Sequence, residues 1–352
     1  MNNDASKLAF ASDYMEGAHP AVLDALVRTN MESTTGYGLD PHCKAAEKAI
    51  LAACECPGGE VWFLEGGTQT NRVMVDALLR PWHGVMAAKT GHVAVHEAGA
   101  IEAGGHKVLE LPHANGKVAA ADIRTAIESH TTDANREHMV EPGMLYISQP
   151  TEYGTLYSLA ELEELSATCR AAGIPLYVDG ARLAYALAAP ENDVTLPDLA
   201  RLADAFYIGG TKCGTLLGEA VVLPQVGAIP GLFSMIKQHG ALLAKGRILG
   251  VQFEALFEDG LYLRVCSYAD EAAAAIAQTL KKHGLEVPVP QQTNQVFFLA
   301  TPEQLDFLAA HVDLGFMEAW PDGRSLMRLA TSWSTTPQAV EGLLKVVHGM
   351  AI

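Results

Sequence analysis

The sequence predicts an α/β protein: a mostly parallel central sheet with helices on both faces, followed by a smaller C-terminal α+β domain. Two observations carry that expectation. Through most of the chain, short apolar, β-branched runs alternate with helical patterns, the order that builds parallel strands joined by crossover helices. After about residue 250 the alternation stops, and an Ala-rich helical stretch is followed by two separate strand patterns. The expected division is a large domain over residues 1–250 and a small one over residues 251–352. A chain of 352 residues can bury a core in each.

The elements follow in order. Strand patterns fall at residues 61–64, 85–87, 108–109, 145–147, 176–178 and 205–208. The first leads through Gly66-Gly67-Thr68 into a helical pattern over residues 73–79, and residues 122–130 suggest another helix. Ser158 with Glu161 forms a capping box that opens a helix, which Gly173 ends. Residues 219–223 follow the preceding strand too closely for a crossover helix, so that segment should return antiparallel. In the small domain a helix over roughly residues 265–283 precedes strands at 295–299 and 326–330, and Pro337 sits just inside the last helix.

Composition narrows the function. The net charge of −17 disfavours nucleic acid and anionic membranes as partners. No run approaches the ~20 consecutive apolar residues of a transmembrane helix. Met1-Asn2-Asn3-Asp4 lacks the layout of a secretion signal. Six irregularly spaced cysteines read as reduced thiols of a cytoplasmic protein, and Cys54-Glu55-Cys56 is too tight for a usual zinc knuckle, so no metal is expected.

The chemistry concentrates at strand ends. The run over residues 176–178 delivers Asp179-Gly180-Ala181-Arg182, and the run over residues 205–208 delivers Gly209-Gly210-Thr211-Lys212. Ligands of α/β sheets bind at the carboxyl ends of their strands. A carboxylate and an amine offered there are what pyridoxal 5'-phosphate (PLP) requires: Lys212 for a Schiff base, Asp179 for the protonated ring nitrogen. Asp179 could instead cap the following helix, and a strand-end Lys could be a solvated surface charge. The small apolar neighbours of Lys212 suit an amine of lowered pKa. Gly66, Gly67 and Thr68, between strand and helix, could cradle a phosphate and could equally be a tight turn. His92 or His96 could stack on a flat ring. Arg328, mid-strand in an apolar run, needs a partner, and a substrate carboxylate would serve.

At these residues the chain resembles the threonine aldolase/β-eliminating lyase branch of fold-type-I PLP-dependent enzymes. Ser12-Asp13, Tyr37-Gly38-Leu39-Asp40-Pro41, Gly67-Thr68 with Asn71, Gly91-His92 with Glu97-Ala98-Gly99-Ala100, Asp179-Gly180-Ala181-Arg182, Thr211-Lys212 and Arg328-Leu329 match in order. The resemblance implies the fold-type-I transferase-like fold and cleavage of L-threonine, L-allo-threonine or related β-hydroxy-α-amino acids to glycine and an aldehyde. It implies that Lys212 holds PLP and Asp179 meets its nitrogen. His92 rather than His96 would stack on the ring, and Gly67 and Thr68 would bind its phosphate, beside Gly66 and Thr211. Ser12, Arg182 and Arg328 would hold the substrate carboxylate. Lys245, placed on a helix, resembles the basic residue that a neighbouring subunit lends to the phosphate, so a homodimer or homotetramer with shared active sites is implied. The family's extra His is missing from residues 148–154, which leaves the acceptor of the hydroxyl proton open among His92, His96 and Glu152. A β-eliminating lyase or aminotransferase is the alternative activity, and a binding module that has kept the fold is a second one.

Overall fold

The structure, a computed structural model, describes residues 7–350, so the tetrapeptide read for a secretion signal lies outside the described residues. In chain order the strands are β1 (Leu8–Ala9), β2 (Glu60–Leu64), β3 (His83–Ala88), β4 (Val108–Leu111), β5 (Glu141–Ser148) and β6 (Leu176–Asp179). They continue with β7 (Ala205–Gly209), β8 (Glu219–Leu223), β9 (Gln295–Ala300), β10 (Val312–Asp313), β11 (Gly315–Ala319) and β12 (Ser325–Ala330). Seven of them form the central sheet in the order β2-β8-β7-β6-β5-β3-β4. β3, β4, β5, β6 and β7 pair in parallel, whereas β8 runs antiparallel to both β7 and β2. The return strand expected at residues 219–223 is this β8.

Near-continuous apolar runs arise because both faces of the sheet are buried. Met86, Leu145, Ile147, Val178, Phe206 and Val222 enter one core. Their chain neighbours Val85, Met144, Tyr146, Tyr177, Tyr207 and Val221 enter the other. Successive side chains on a strand point to opposite faces, so an uninterrupted run feeds two helical layers. The first layer includes helices Pro41–Ala53, Leu159–Ala172 and Arg247–Phe257, and the second includes Gly67–Leu78 and Leu232–Gln238.

Local signals behave as expected. Ser158 and Glu161 make both bonds of the capping box, and Gly173 closes the helix in the left-handed conformation at φ 69°. A Cβ on Gly180 would lie 1.9 Å from the Tyr207 carbonyl oxygen, and one on Gly209 would lie 2.5 Å from that of Ala181. The ends of β6 and β7 therefore touch backbone to backbone, which only glycine permits.

The smaller sheet is β11-β12-β9, antiparallel throughout, with helices Ser267–Lys282 and Pro337–Gly349 against it. The N-terminal segment joins this layer, because β1 pairs with β10 and Phe10 lies in its core. Helix Arg247–Phe257, with Val251, Phe253 and Leu256, packs into the core of the large sheet. Among the described residues no helix is long and apolar enough to cross a membrane.

Candidate active site

The carboxyl ends of the parallel strands converge on one cavity. Gly67 follows β2, His92 follows β3, Glu152 follows β5, Asp179 ends β6 and Lys212 lies in the turn after β7; all of them line it, together with Arg182. The two groups that sequence reasoning pairs, Asp179 and Lys212, thus face one space small enough for a single heterocycle.

Asp179 is built to remain a carboxylate. The Tyr207 hydroxyl donates to Oδ1 at 2.5 Å and the Ala181 N–H at 3.0 Å. The Tyr146 hydroxyl donates to Oδ2 at 2.6 Å and Asn71 Nδ2 at 2.9 Å. Burial alone would raise its pKa, but the His92 charge and these donors hold it below the ordinary value. Tyr146, Tyr177 and Tyr207 form a row across β5, β6 and β7, with neighbouring ring centroids 6.0 and 6.4 Å apart. The Tyr177 hydroxyl donates to Asn71 Oδ1 at 3.1 Å and so aims the Asn71 amide at Asp179.

Lys212 meets the opposite condition. Burial and the neighbouring Arg182 guanidinium push its pKa down, against the pull of Asp13, Asp179 and Glu219. Its turn is fastened from below. The Thr211 hydroxyl donates to Glu219 Oε1 at 2.7 Å, the Gly210 N–H donates to Oε2 at 3.0 Å, and the Tyr185 hydroxyl donates to the Lys212 carbonyl at 2.7 Å. Burial raises Glu219 to about 8.

His92 opens a short helix, and its Nδ1 lies 2.7 Å from Glu97 Oε1, which also accepts from Asn71 at 2.8 Å. That contact fixes the ring while leaving Nε2 free. His96 lies beside it, with ring centroids 5.9 Å apart; burial, then the charges of His92 and Arg328, lowers its pKa. His96 is not part of the cavity lining.

Gly66 caps helix Gly67–Leu78 without any side-chain hydrogen bond. The first-turn N–H groups therefore have no intrahelical partner and offer an anion site with the helix dipole behind it. Thr68 is exposed at this turn. These features fit PLP: free donors for a phosphate, a low-pKa carboxylate for the ring nitrogen, and an amine of lowered pKa.

A second polar cluster is assembled from distant segments of the chain. Arg182 donates through Nε at 2.6 Å and Nη2 at 2.9 Å to Asp13, and Asn294 donates to the same carboxylate at 2.9 Å. Burial would raise Asp13, but Arg182, Lys212 and these bonds hold it at about 2. Arg182 therefore keeps Nη1 and the second Nη2 hydrogen for another anion. Arg328, on the central strand of the small sheet, donates from Nη2 to the Ala11 carbonyl at 2.9 Å and from Nη1 to Gln295 at 3.2 Å. Its Nε and the Ser12 hydroxyl are buried without a protein partner. Unmatched buried donors are what a bound carboxylate would satisfy.

Of the expected site residues, Ser12, Gly66, Thr68, Thr211, Lys245 and Arg328 are not part of the cavity lining. Lys245 is not on a helix: it is exposed in the turn before Arg247–Phe257, on a separate groove with Thr35, Gly36 and Arg247. Thr211 turns its hydroxyl toward Glu219 and also accepts from the Gly218 N–H at 3.1 Å. Sequence reasoning does not single out Tyr146, Tyr207, Glu219 or Asn294. For Tyr146 and Tyr207 the available signal is a hydroxyl in each of the apolar runs that flank the Asp179 run.

Comparison with known proteins gives the family. The family model described as beta-eliminating lyase matches residues 9–302. The chain is similar to a low-specificity L-threonine aldolase of Pseudomonas sp. (strain NCIMB 10558), 30% identical over 95% of each chain. It is similar to the solved Leishmania major threonine aldolase, at 42% identity and TM-score 0.93 over 97% of this chain and 98% of that one. It shares its fold with Thermus thermophilus aspartate aminotransferase, at 16% identity and TM-score 0.70 over 97% of this chain and 90% of that one. With a family match over most of its length and a relative this similar end to end, the chain belongs to the threonine aldolase branch of the beta-eliminating lyases, a family of PLP-dependent enzymes.

Proposed function

We propose that the protein is a PLP-dependent aldolase that cleaves L-threonine, L-allo-threonine or related β-hydroxy-α-amino acids to glycine and an aldehyde. The observation that carries this reading is the convergence of the Asp179 carboxylate and the low-pKa Lys212 amine on one cavity. Lys212 would hold the coenzyme's aldehyde carbon, Asp179 its ring nitrogen and His92 a ring face. Gly66, Gly67 and Thr68 would hold its phosphate. When bound, PLP supplies an electron sink for the pair released at Cα.

The chain's own residues do the rest. Arg328 Nε and the Ser12 hydroxyl take the substrate carboxylate, with Arg182 Nη1 alongside. That grip orients the Cα–Cβ bond for cleavage. Hydroxyl-proton removal falls to His92, His96 or Glu152, all close to the cavity. Arg328→Ala should lower kcat/KM for threonine about 10- to 100-fold, mostly through KM, because one charge-assisted carboxylate grip is lost. Initial-rate kinetics measure it, and an unchanged KM would remove Arg328 from this role.

We also propose a cytoplasmic homodimer or homotetramer in which Lys245 reaches a neighbour's phosphate site. Tyr14, Met15, Leu23, Val27, Met31, Tyr37 and Leu39, exposed in the N-terminal region, support a subunit-contact face. Six free cysteines suit a reducing compartment. The test of the activity is direct. Protein loaded with PLP and given threonine should release glycine and acetaldehyde, whereas ammonia with a keto acid would favour a β-eliminating lyase.

A further inference from the structure

We propose that Glu152 is the catalytic residue that accepts the substrate's β-hydroxyl proton, through its Oε2 atom. The inference rests on the aldolase reading and deepens it by choosing among three candidate groups.

The geometry separates the two carboxyl oxygens of Glu152. The Ser148 hydroxyl donates to Oε1 at 2.6 Å, and the His92 backbone N–H donates to the same oxygen at 2.9 Å. Oε2 has no hydrogen-bond partner among the described residues, and it is not sealed away as a buried orphan. Two donors on one oxygen fix the plane of the carboxyl group and leave the other oxygen to receive a proton. The group lines the same cavity as Lys212, Asp179 and His92. Burial raises its pKa; the Ser148 hydroxyl, its own backbone N–H and the His92 N–H oppose, and the Asp179 charge adds to the rise. A carboxylate of raised pKa is a stronger base than an ordinary one, which suits proton transfer near neutrality.

The rivals are less well placed. His92 has Nδ1 committed to Glu97 and its ring reserved for the coenzyme face. His96 lies outside the cavity lining, on the Arg328 side where the substrate's carboxylate end belongs. Glu152 also occupies the segment from which the family's extra His is missing. The Ser148 hydroxyl lies 3.2 Å from the Tyr146 hydroxyl, which donates to Asp179. Each hydroxyl gives its single proton to a carboxylate, Ser148 to Glu152 and Tyr146 to Asp179, so the two networks touch without a hydrogen bond between them.

The step balances without any added reagent. The O–H bond of the substrate breaks and its proton moves to Oε2. The C–O bond becomes the aldehyde carbonyl as the Cα–Cβ bond breaks. The electron pair stays on Cα, where a proton from solvent completes glycine.

Glu152→Gln tests the assignment, because the amide oxygen can keep both bonds to Ser148 and His92 while the base is lost. Threonine cleavage should fall about 100-fold or more. The visible absorbance of bound PLP and the exchange of the glycine α-hydrogen in D2O, which needs no hydroxyl base, should stay near wild type. Cleavage within a few-fold of wild type would overturn the proposal and leave Glu152 as a brace for His92. Joint loss of cleavage, exchange and coenzyme absorbance would overturn it too, by making Glu152 necessary for assembly of the site. Wild-type protein that exchanges glycine yet releases no acetaldehyde from threonine would instead overturn the aldolase reading, and this inference with it.

Discussion

Lys212→Ala is expected to abolish acetaldehyde release from threonine, a loss of about 10⁴-fold or more, while the protein melts at or slightly above its original temperature. The activity falls because, among the described residues, no other amine lines the cavity to hold the coenzyme's aldehyde. The fold survives because the turn is held through its backbone: the Tyr185 hydroxyl bonds the Lys212 carbonyl, and the Thr211 and Gly210 N–H groups both donate to the Gly218 carbonyl. Removing a buried amine also removes its desolvation cost, which offsets the counter-charge lost to Asp13 and Asp179. Aldehyde assays and thermal melts by circular dichroism measure the two effects. Activity within tenfold of wild type would displace Lys212 from the centre of the chemistry.

Asp179→Asn should damage both reaction and fold. Threonine cleavage should drop about 10³-fold, because an amide cannot hold a ring nitrogen protonated as a carboxylate does. Stability should fall by about 1–3 kcal/mol as well. Each oxygen of Asp179 accepts from two donors: Tyr207 and Ala181 on one, Tyr146 and Asn71 on the other. Asparagine must turn its NH2 toward one of these pairs, leaving donors facing donors in a buried site. Urea denaturation and initial rates would measure the two losses. A variant that keeps wild-type rates would show that the ring-nitrogen partner lies elsewhere.

The fold is largely legible in the sequence because its punctuation is local. Ser158 with Glu161, Gly173 and Pro337 mark helix ends by their own backbone chemistry, and the antiparallel return of residues 219–223 follows from loop length alone. β1, β10 and β11 are not legible. β1 and β10 are two residues each, and β11 is half-exposed, so none carries a periodic signal. In the site, Asp179, Lys212, His92 and Arg328 declare themselves as polar groups interrupting apolar surroundings. Tyr146 and Tyr207 do not, because inside a doubly buried strand a tyrosine reads as core, and its hydroxyl contact is set by a neighbouring strand. The Asp13–Arg182 pair, 169 positions apart, depends on how the N-terminal segment crosses onto the sheet. The placement of Lys245 away from its own cavity depends on the turn before Arg247, which nothing in its neighbours' types specifies.

The single reversed strand of the large sheet has a mechanical result. Because β8 runs against its neighbours, its first residue, Glu219, sits level with Gly209, the last residue of β7. The reactive amine therefore rides on a closed hoop whose two feet stand on the same rung of one ladder, and it does not lead into a mobile helix. Such a mounting leaves the side chain's four carbons as the lysine's main freedom, so it can swing between bound and released positions while the scaffold stays still.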